Sequence, residues 1–193
     1  MMEGAELRIL EAALATIEEC GFDNVTIRRI AARAGVNIAA INYYFKSKEL
    51  LLDKVIEVTL ENTFDWSDLD YTESLPPKEQ LLAIMEHLAK GAQTYPATTR
   101  AQFYDIIMYG ENDTPAALAL NRFMETLCQK IRDKGIKMNE KDLRISMSQI
   151  FMAGLFSVGV MPGVYQPFLR ADLTNAGERR RFLRQLIDRL IVD

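Results

Sequence analysis

The feature that most constrains the fold is a pair of short amphipathic helical patterns joined by a glycine, between residues 26 and 45. Thr26 can cap the first pattern, because its hydroxyl can accept a backbone N–H at a helix start. Gly35 follows the last periodic residue, where a left-handed backbone conformation favours glycine. Asn37 is placed to cap a second helix. The sequence therefore predicts two consecutive helices separated by a tight turn.

The second of these helices leaves one strip of its surface outside the predicted core. Ile41 and Phe45 lie on the side that we expect to be buried. The strip is formed by residues at i, i+1, i+4 and i+5, namely Ile38, Ala39, Asn42 and Tyr43. Two helices joined by a Gly-containing turn form a helix-turn-helix, whose second helix enters the major groove of DNA. An asparagine amide can bond an adenine edge, and an alanine can contact a thymine methyl group.

Positive charge is concentrated in the same stretch. Residues 26–48 contain five cations and no acid, whereas the whole chain has a net charge of −4. This contrast favours attraction of a polyanion to one face of the protein. We expect hydroxyl and ammonium groups to bind phosphates. The residues of the exposed strip, together with Arg28, are expected to contact base edges. The predicted DNA-binding residues are Thr26, Arg28, Asn37, Ile38, Ala39, Asn42, Tyr43, Tyr44 and Lys48.

The stretch from residue 26 to residue 51 resembles the DNA-binding domain of the TetR family of bacterial transcriptional repressors. The matching positions are Gly21, Phe22, Thr26, Ile30, Ala31, Ala34, Gly35, Val36, Ile41, Tyr43, Phe45 and residues 48–51. The Asn-Tyr-Tyr-Phe sequence at 42–45 is similar to a subset of that family, although many relatives have Tyr where this chain has Asn42. The resemblance implies a ligand-responsive regulator, most often a repressor that a small apolar or amphipathic molecule releases from a palindromic duplex operator.

The resemblance also implies the domain organisation. We expect a DNA-binding domain at residues 4–63, with the helix-turn-helix at 26–45 and a fourth helix as the connector. An effector-binding and dimerisation domain is expected at residues 76–193. The segment 65–77, which follows the fourth helix and ends inside the second domain, is polar and contains two prolines, which is typical of a loop.

Helical periodicity continues along the rest of the chain. Beyond the fourth helix, patterns of this kind occupy residues 78–94, 96–109, 114–134, 139–160 and 176–192. We find no segment with the alternation of a β-strand. The sequence therefore predicts an all-α fold of about nine helices.

Methionine and aromatic residues are frequent in these later helices. Core packing is the favoured interpretation for most of them. The alternative is an apolar ligand cavity between helices, which helical bundles often contain. For His87, an ordinary surface or core histidine is the favoured interpretation. The candidate ligand-binding residues are Phe64, Met85, His87, Arg100, Phe103, Tyr104, Ile107, Phe123, Met147 and Phe151.

The last two helical patterns predict a homodimer. The pattern at 139–160 is apolar on more than one side, so one side needs cover beyond its own core. Small residues in it permit close helix approach, and the pattern at 176–192 carries a wide apolar stripe. Two such helices from each subunit would form a four-helix interface about a two-fold axis. The predicted interface residues are Ile150, Ala153, Gly154, Ser157, Phe182, Leu183, Leu186, Ile187 and Leu190.

Several classes of protein are disfavoured by composition. Two cysteines and one histidine give no metal-ligand spacing, so we expect no metal site, no cofactor and no disulfide. No nucleophile lies in a context that would activate it, and we expect no enzyme activity. No apolar run reaches the ~20 residues of a transmembrane helix, which predicts a cytoplasmic protein without a membrane partner. The alternative that stays open is a helical small-molecule-binding protein or enzyme whose amino-terminal hairpin only resembles a DNA reader.

Overall fold

A computed structural model describes residues 4–192 of the chain. In this range the chain forms eleven α-helices, two 3₁₀-helices and one π-helical segment, and these residues include no β-strand. The all-α prediction is confirmed, but the predicted count of about nine helices is too low. One predicted helix is broken into two, and a short additional helix follows the π-helical segment. Residue 193, the end of the predicted second domain, lies outside the described residues.

The chain divides into two compact units. Of the described residues, the first unit comprises 4–62 and 95–117, and the second comprises 63–94 and 118–192. The predicted second domain, 76–193, differs from this division because residues 95–117 group with the amino-terminal helices. The amino-terminal part of the chain therefore contains more than the helix-turn-helix and its connector.

The first unit is built on four helices at the amino terminus. These are α1 (Gly4–Cys20), α2 (Ile27–Ala34), α3 (Ile38–Phe45) and α4 (Lys48–Thr63), with a 3₁₀ turn at Phe22–Asn24. Helices as short as α2 and α3 are marginal alone and depend on packing of an apolar face. Burial of a large apolar side chain contributes about 1.5–3 kcal/mol. The core that supplies this burial contains Ile9, Leu10, Ala13, Ile17, Val25, Ile30, Ala31, Ile41, Phe45, Leu51, Leu52 and Val55.

Two short helices complete the first unit. They are α6 (Pro96–Gln102) and α7 (Tyr104–Tyr109), where the sequence predicts one helix at 96–109. The chain leaves helical geometry at Phe103, whose φ is −102° and ψ is 4°. The Phe103 side chain is only 3% exposed. The break thus accompanies the burial of an aromatic side chain, which periodicity alone does not reveal.

Polar contacts hold α6 against α1 and α4. The Glu18 carboxylate on α1 accepts hydrogen bonds from the backbone N–H groups of Ala97 (3.0 Å) and Thr98 (2.8 Å), and from the Thr98 hydroxyl. Gln102 donates to the Thr59 hydroxyl on α4 at 3.0 Å. Glu18 satisfies N–H groups that the first turn of any helix leaves unpaired, and its negative charge suits that end of the helix dipole.

The second unit contains the longer helices. Its 3₁₀-helix is Trp66–Thr72, and its α-helices are α5 (Pro77–Thr94), most of α8 (Pro115–Asp133), α9 (Glu140–Phe151), α10 (Gln166–Leu169) and α11 (Ala176–Leu190). Buried residues from α5, α8, α9 and α11 form one core. Its large members include Leu81, Leu82, Ile84, Met85, Leu88, Phe123, Leu127, Ile131, Leu143, Met147, Ile150, Phe151, Leu183 and Ile187.

A π-helical segment replaces the second half of the helix predicted at 139–160. The helix is regular through α9 and becomes π-helical at Met152–Val160. A Cβ atom on Gly154 would lie 2.5 Å from Met85 Cε, and one on Gly159 would lie 2.9 Å from Ala92 Cβ. Gly159 therefore allows this segment to approach α5 closely, because a side chain there would meet atoms that cannot move aside, whereas at Gly154 the flexible end of Met85 would have to shift.

Gln93 of α5 connects the π-helical segment to α11. Its side-chain amide donates to the carbonyl groups of Val158 (2.7 Å) and Leu173 (3.0 Å). Its side-chain oxygen accepts a hydrogen bond from the Arg179 guanidinium at 2.9 Å. Arg179 is 8% exposed, and its Nε atom is buried without a hydrogen-bond partner among residues 4–192. The second unit thus contains a buried polar network at a position where the sequence predicts only an apolar face.

The segment Glu140–Val160 is long and apolar enough, by length and composition, to cross a membrane. The prediction that no run reaches this length therefore needs correction. However, 56% of its apolar window is buried inside the protein. A core helix of a soluble protein meets the same criterion, and many residues of this helix belong to the core of the second unit.

Both cysteines are free thiols. Cys20 is half-buried and Cys128 is buried. Burial raises the pKa of the Cys128 thiol, so that the group stays protonated at neutral pH. Cys128 accordingly behaves as a small apolar core residue.

Candidate nucleic-acid interface

The ends of α2 and α3 are fixed by the residues that the sequence singles out. The Thr26 hydroxyl accepts the backbone N–H of Arg29 at 3.4 Å, and the Asn37 side chain accepts that of Ala40 at 2.8 Å. Gly35 adopts the left-handed conformation, with a φ of 65°. The predicted caps and turn are confirmed. Because the Asn37 oxygen is occupied by its own helix, we interpret this residue first as a cap.

The outward strip of α3 is separated from its core side. Ile41 is fully buried and Phe45 is 7% exposed, whereas Ile38 is 42% and Tyr43 is 72% exposed. Ala39 and Asn42 are exposed as well. The structure therefore brings Ile38, Ala39, Asn42 and Tyr43 together on one accessible surface, which we call the α3 strip.

A strained turn follows the α3 strip. Lys46 has a φ of 68° and a ψ of −47°, and the N–H of Ser47 bonds the carbonyl of Phe45 at 2.8 Å. This is a γ-turn with positive φ, which is rare and strained for a residue with a side chain. The Lys46 ammonium bonds the carbonyl of Tyr43 at 3.0 Å and lies 5.7 Å from the centre of its ring. The sequence gives no sign of this turn, because glycine is the residue expected there.

The start of α4 lies next to this turn. The Ser47 hydroxyl accepts the N–H of Leu50 at 3.2 Å, and the half-buried Lys48 donates its ammonium to the carbonyl of Val25 at 3.4 Å. This bond holds the ammonium beside the start of α2. Hydrogen bonds from the backbone N–H of Glu49 and from Ser47 lower the pKa of the Glu49 carboxyl. One acid therefore borders the cationic stretch at its carboxyl end.

The positive charge of α2 is partly balanced by α1. Glu19 on α1 forms an ion pair with Arg29, at 3.1 Å, and another with Arg33. The sequence-based count of cations at residues 26–48 misses this acid, because it lies outside the stretch. Arg28 is exposed, whereas Tyr44 is half-buried against the core of the first unit. Arg28, Lys46 and Lys48 are therefore the cations of the stretch that do not pair with Glu19.

The ten candidate ligand-binding residues are divided between the two units. In the first unit, Arg100 and Tyr104 line a cavity, Phe103 is buried and Ile107 is 58% exposed. In the second unit, Met85 and Met147 are almost fully buried, and His87 is half-buried. Phe64, Phe123 and Phe151 belong to one aromatic cluster with Trp66, whose ring stacks on Phe123 at 4.6 Å. Most of the second group thus takes part in core packing, which was the favoured interpretation.

The predicted dimer interface also needs correction. Four of its nine residues, Ile150, Gly154, Leu183 and Ile187, are buried within the second unit of a single chain. Ile150, Leu183 and Ile187 belong to the core of the second unit, and Gly154 lies close to Met85 of α5. The others, Ala153, Ser157, Phe182, Leu186 and Leu190, are half-buried and stay a prediction.

Comparisons with known proteins agree with this geometry. Residues 9–55 match the sequence profile of bacterial regulatory proteins of the tetR family. Over 47 residues, or 24% of this chain, the sequence is 57% identical to the HTH-type transcriptional dual regulator CecR of Shigella flexneri. It is 31% identical over 49% of the chain to the HTH-type transcriptional regulator BetI of Cronobacter sakazakii. The aligned segments span only 21% of CecR and 48% of BetI.

A solved structure extends the likeness over the whole fold. The TetR-like transcriptional regulator from Rhodococcus sp. RHA1 superposes with a TM-score of 0.68, covering 98% of this chain and 97% of that one. Sequence identity over this range is 16%, so the match concerns the fold alone. Residues 9–55 are therefore similar to the amino-terminal domain of the tetR family of bacterial regulatory proteins, and they lie within an all-helical fold.

Proposed function

We propose that this protein is a ligand-responsive transcriptional repressor that binds duplex DNA as a homodimer. The observation that carries the proposal is the α3 strip, which leaves an amide, a small residue and a phenol accessible together while the other side of α3 is buried. Such a helix can approach base edges in the major groove. A protein that works on DNA in this way acts in the bacterial cytoplasm.

The DNA-binding residues divide into two groups by chemistry. Lys48, Thr26, Tyr43 and Tyr44 carry ammonium or hydroxyl groups, which suit phosphate oxygens. Asn42, Ala39, Ile38 and Arg28 address base edges. Asn37 contributes chiefly by capping α3. The Asn-Tyr-Tyr-Phe end of α3 is the part of the family resemblance that we expect to set the preferred DNA sequence.

Homodimer formation is proposed through the outer faces of α9, the π-helical segment and α11. Ile145 and Met152 lie two turns apart on this helix and are 47% and 62% exposed, so both present apolar surface that the single chain leaves accessible. Ala153, Ser157, Phe182, Leu186 and Leu190 complete the proposed surface. A two-fold protein requires a near-palindromic site, with recognition helices ~34–36 Å apart or a multiple of that distance. Sedimentation at micromolar concentration that shows only monomer would contradict this arrangement.

A small apolar or amphipathic effector is proposed to change operator affinity. An effector can shift the balance between DNA-binding and released states only by its differential affinity for them, which is typically ~1–3 kcal/mol. Operator affinity measured with and without a bound effector tests this step. An effector that binds tightly and leaves operator affinity unchanged contradicts the repressor mechanism.

The central test compares two variants on an operator selected from random duplexes. Lys48→Ala removes a phosphate contact, so it should weaken binding to all sequences alike and lower the salt slope by about one. Asn42→Ala removes a base contact, so it should cost ~1–3 kcal/mol at one base pair and leave the salt slope unchanged. Binding to matched and mismatched operators across a salt series separates the two effects.

The same measurements distinguish the alternative function. A small-molecule-binding protein or enzyme with a hairpin that merely resembles a DNA reader would shift no duplex DNA, even at low salt. If Asn42→Ala keeps wild-type discrimination at every base pair, the reading role passes to Arg28 and Tyr43. If no duplex is bound by the wild-type protein, the proposed function is wrong.

A further inference from the structure

A cavity of about 570 Å³ lies within the first unit. Four elements form its walls: the 3₁₀ turn after α1, α4, α6 and α7. Its charged and aromatic lining residues are Phe22, Asp23, Asp53, Arg100, Tyr104 and Asp105. None of the predicted DNA-binding residues is among them. The volume falls within the range of about 300–1,000 Å³ that is typical of small-molecule sites.

The lining combines apolar surface with negative charge. Ile56, Ala97 and Ala101 are half-buried side chains that provide an apolar wall. Three aspartates, one each from the 3₁₀ turn, α4 and α7, lie among the lining residues together with the cation Arg100, and all four of these residues are exposed. The formal charge of the lining is therefore −2. An occupant needs an apolar body to cover the wall and a positive charge to meet the carboxylates.

The three carboxylates have no cationic partner among the residues that the structure describes. Lys54, the neighbour of Asp53 in sequence, forms an ion pair with Glu57 on the same helix instead. Elsewhere in the protein, acids on neighbouring helices are commonly paired, as Glu79 is with Arg184. The aspartates of the cavity are thus available to a ligand.

Aromatic rings supply a second feature that favours a cation. Phe22 and Tyr104 both line the cavity, and the face of an aromatic ring attracts organic cations. The pKa of the Tyr104 phenol is raised, first by its hydrogen bond with Tyr109 and further by the charges of Asp23 and Asp105. The negative charges of Asp23 and Asp105 therefore reach the Tyr104 ring. The electrostatic potential that disfavours a phenolate there also favours a bound cation.

The cavity walls are held in place without a ligand. Glu18 binds the first turn of α6 to α1, and Gln102 binds the end of α6 to Thr59 of α4. A site that is already formed binds its ligand without the cost of ordering its walls. We propose that this cavity binds a small organic cation with an apolar body, such as a quaternary ammonium or phosphonium compound or a protonated amine.

Calorimetric titration with tetraphenylphosphonium tests the proposal on the full-length protein without DNA, so the result does not depend on the proposed function. Tetraphenylborate, which has the same shape and the opposite charge, is the matched control. We expect saturable binding of the phosphonium and no binding of the borate. Equal binding of the two ions, or of neither, overturns the proposal.

Variants of the lining residues show whether the phosphonium binds in this cavity. They also show whether its affinity changes in the direction that the change in cavity charge predicts. Asp53→Asn and Asp105→Asn should each weaken phosphonium binding about fivefold, as loss of one nearby charge in a partly screened site implies. Arg100→Gln removes a like charge and should strengthen binding by a similar factor. Because a general disturbance of the fold cannot produce opposite effects, this reversal is the decisive result.

The control for net charge is Glu11→Gln, which removes an exposed acid of α1 outside the cavity. It should leave phosphonium affinity unchanged. Thermal unfolding of each variant shows whether the fold is intact. If Glu11→Gln weakens binding as much as Asp53→Asn, or if Arg100→Gln does not strengthen it, the cation does not occupy this cavity and the proposal is wrong.

Discussion

Different interactions determine the helix ends and the backbone geometry in two regions of the molecule. One region is the helix-turn-helix, and the other is α9 with its π-helical extension. Thr26, Gly35 and Asn37 each lie within three residues of the groups that they satisfy or the turn that they allow. By contrast, the change from α to π geometry at Met152 accompanies contacts between Gly159 and residues of α5 that are far away in sequence. Local chemistry is therefore sufficient for the first region, and tertiary packing decides the second.

The two regions also differ in how they treat polar groups. In the helix-turn-helix, the arginines of α2 stay exposed, and two of them pair with Glu19 at the surface. In the second unit, Arg179 is buried and bonds Gln93 and the carbonyl of Thr174. Exposed ion pairs contribute little to stability, whereas a buried polar network is costly to interrupt. Substitutions in the second unit should therefore have the larger effects on folding.

Leu183→Ala should have the largest effect. Leu183 is fully buried in the core of the second unit, so its truncation should lower the free energy of unfolding by about 2–5 kcal/mol. Chemical denaturation at two protein concentrations measures the loss. The loss should be the same at both, because Leu183 packs within one chain. If the loss of unfolding free energy is larger at the lower protein concentration, Leu183 contributes to the dimer interface after all. Leu190→Ala, at the proposed interface, is expected to show such a concentration dependence.

Gly159→Ala should destabilise the second unit by about 1–3 kcal/mol through overpacking. The added Cβ would lie 2.9 Å from Ala92 Cβ and 3.5 Å from Ala89 Cα, where no flexible side-chain end can move aside. Gly163→Ala is the matched control, since a Cβ there meets nothing within 4 Å. Thermal and chemical denaturation of both variants check the difference. Equal stability of the two would show that close approach to α5 does not shape the π-helical segment.

Asn37→Ala should lower stability by about 1 kcal/mol, because it removes the side-chain cap of α3. Asn37→Asp keeps an acceptor at the same position and should retain most of the stability. If the proposed function holds, Asn37→Ala also weakens binding to all duplexes without changing base preference. A loss of discrimination at one base pair would instead mean that Asn37 reads a base.

Glu19→Gln should have the smallest effect on folding, less than about 1 kcal/mol, because its two ion pairs are exposed. The same change frees Arg29 and Arg33 from their ion pairs with Glu19. The variant should therefore bind DNA more tightly than the wild type at low salt, and its affinity should decrease more steeply as salt is added. Denaturation and a salt series on one duplex give both quantities. An unchanged salt slope would show that these arginines serve only to join α2 to α1.

The candidate site was largely predictable because its determinants are close in sequence. The caps, the turn, the buried Ile41 and Phe45 and the exposed α3 strip all follow from spacing within a single stretch. Glu19 was missed because no spacing rule connects the end of α1 with the surface of α2. The γ-turn at Lys46 was missed because its backbone conformation opposes the preference of its own residue.

The apolar pattern of the sequence also assigned too many residues to the dimer interface. Gly154 and Leu183 fit the pattern of a dimer surface, but α5 covers them in the single chain. Periodicity identifies which side of a helix is apolar and cannot tell which neighbour covers it. The break at Phe103 has the same origin, since burial of that ring depends on elements far away in sequence.

The all-α class, the helix-turn-helix and its accessible strip follow from local sequence, because helix propensity, capping and turn formation act over a few residues. Three other features depend on packing between distant residues: the grouping of residues 95–117 with the amino-terminal helices, the π-helical segment and the cavity between α4, α6 and α7. Those features depend on contacts such as Glu18 with Thr98, which lie 80 residues apart. The energy of such a contact exists only when both partners are already folded, and no local pattern records it.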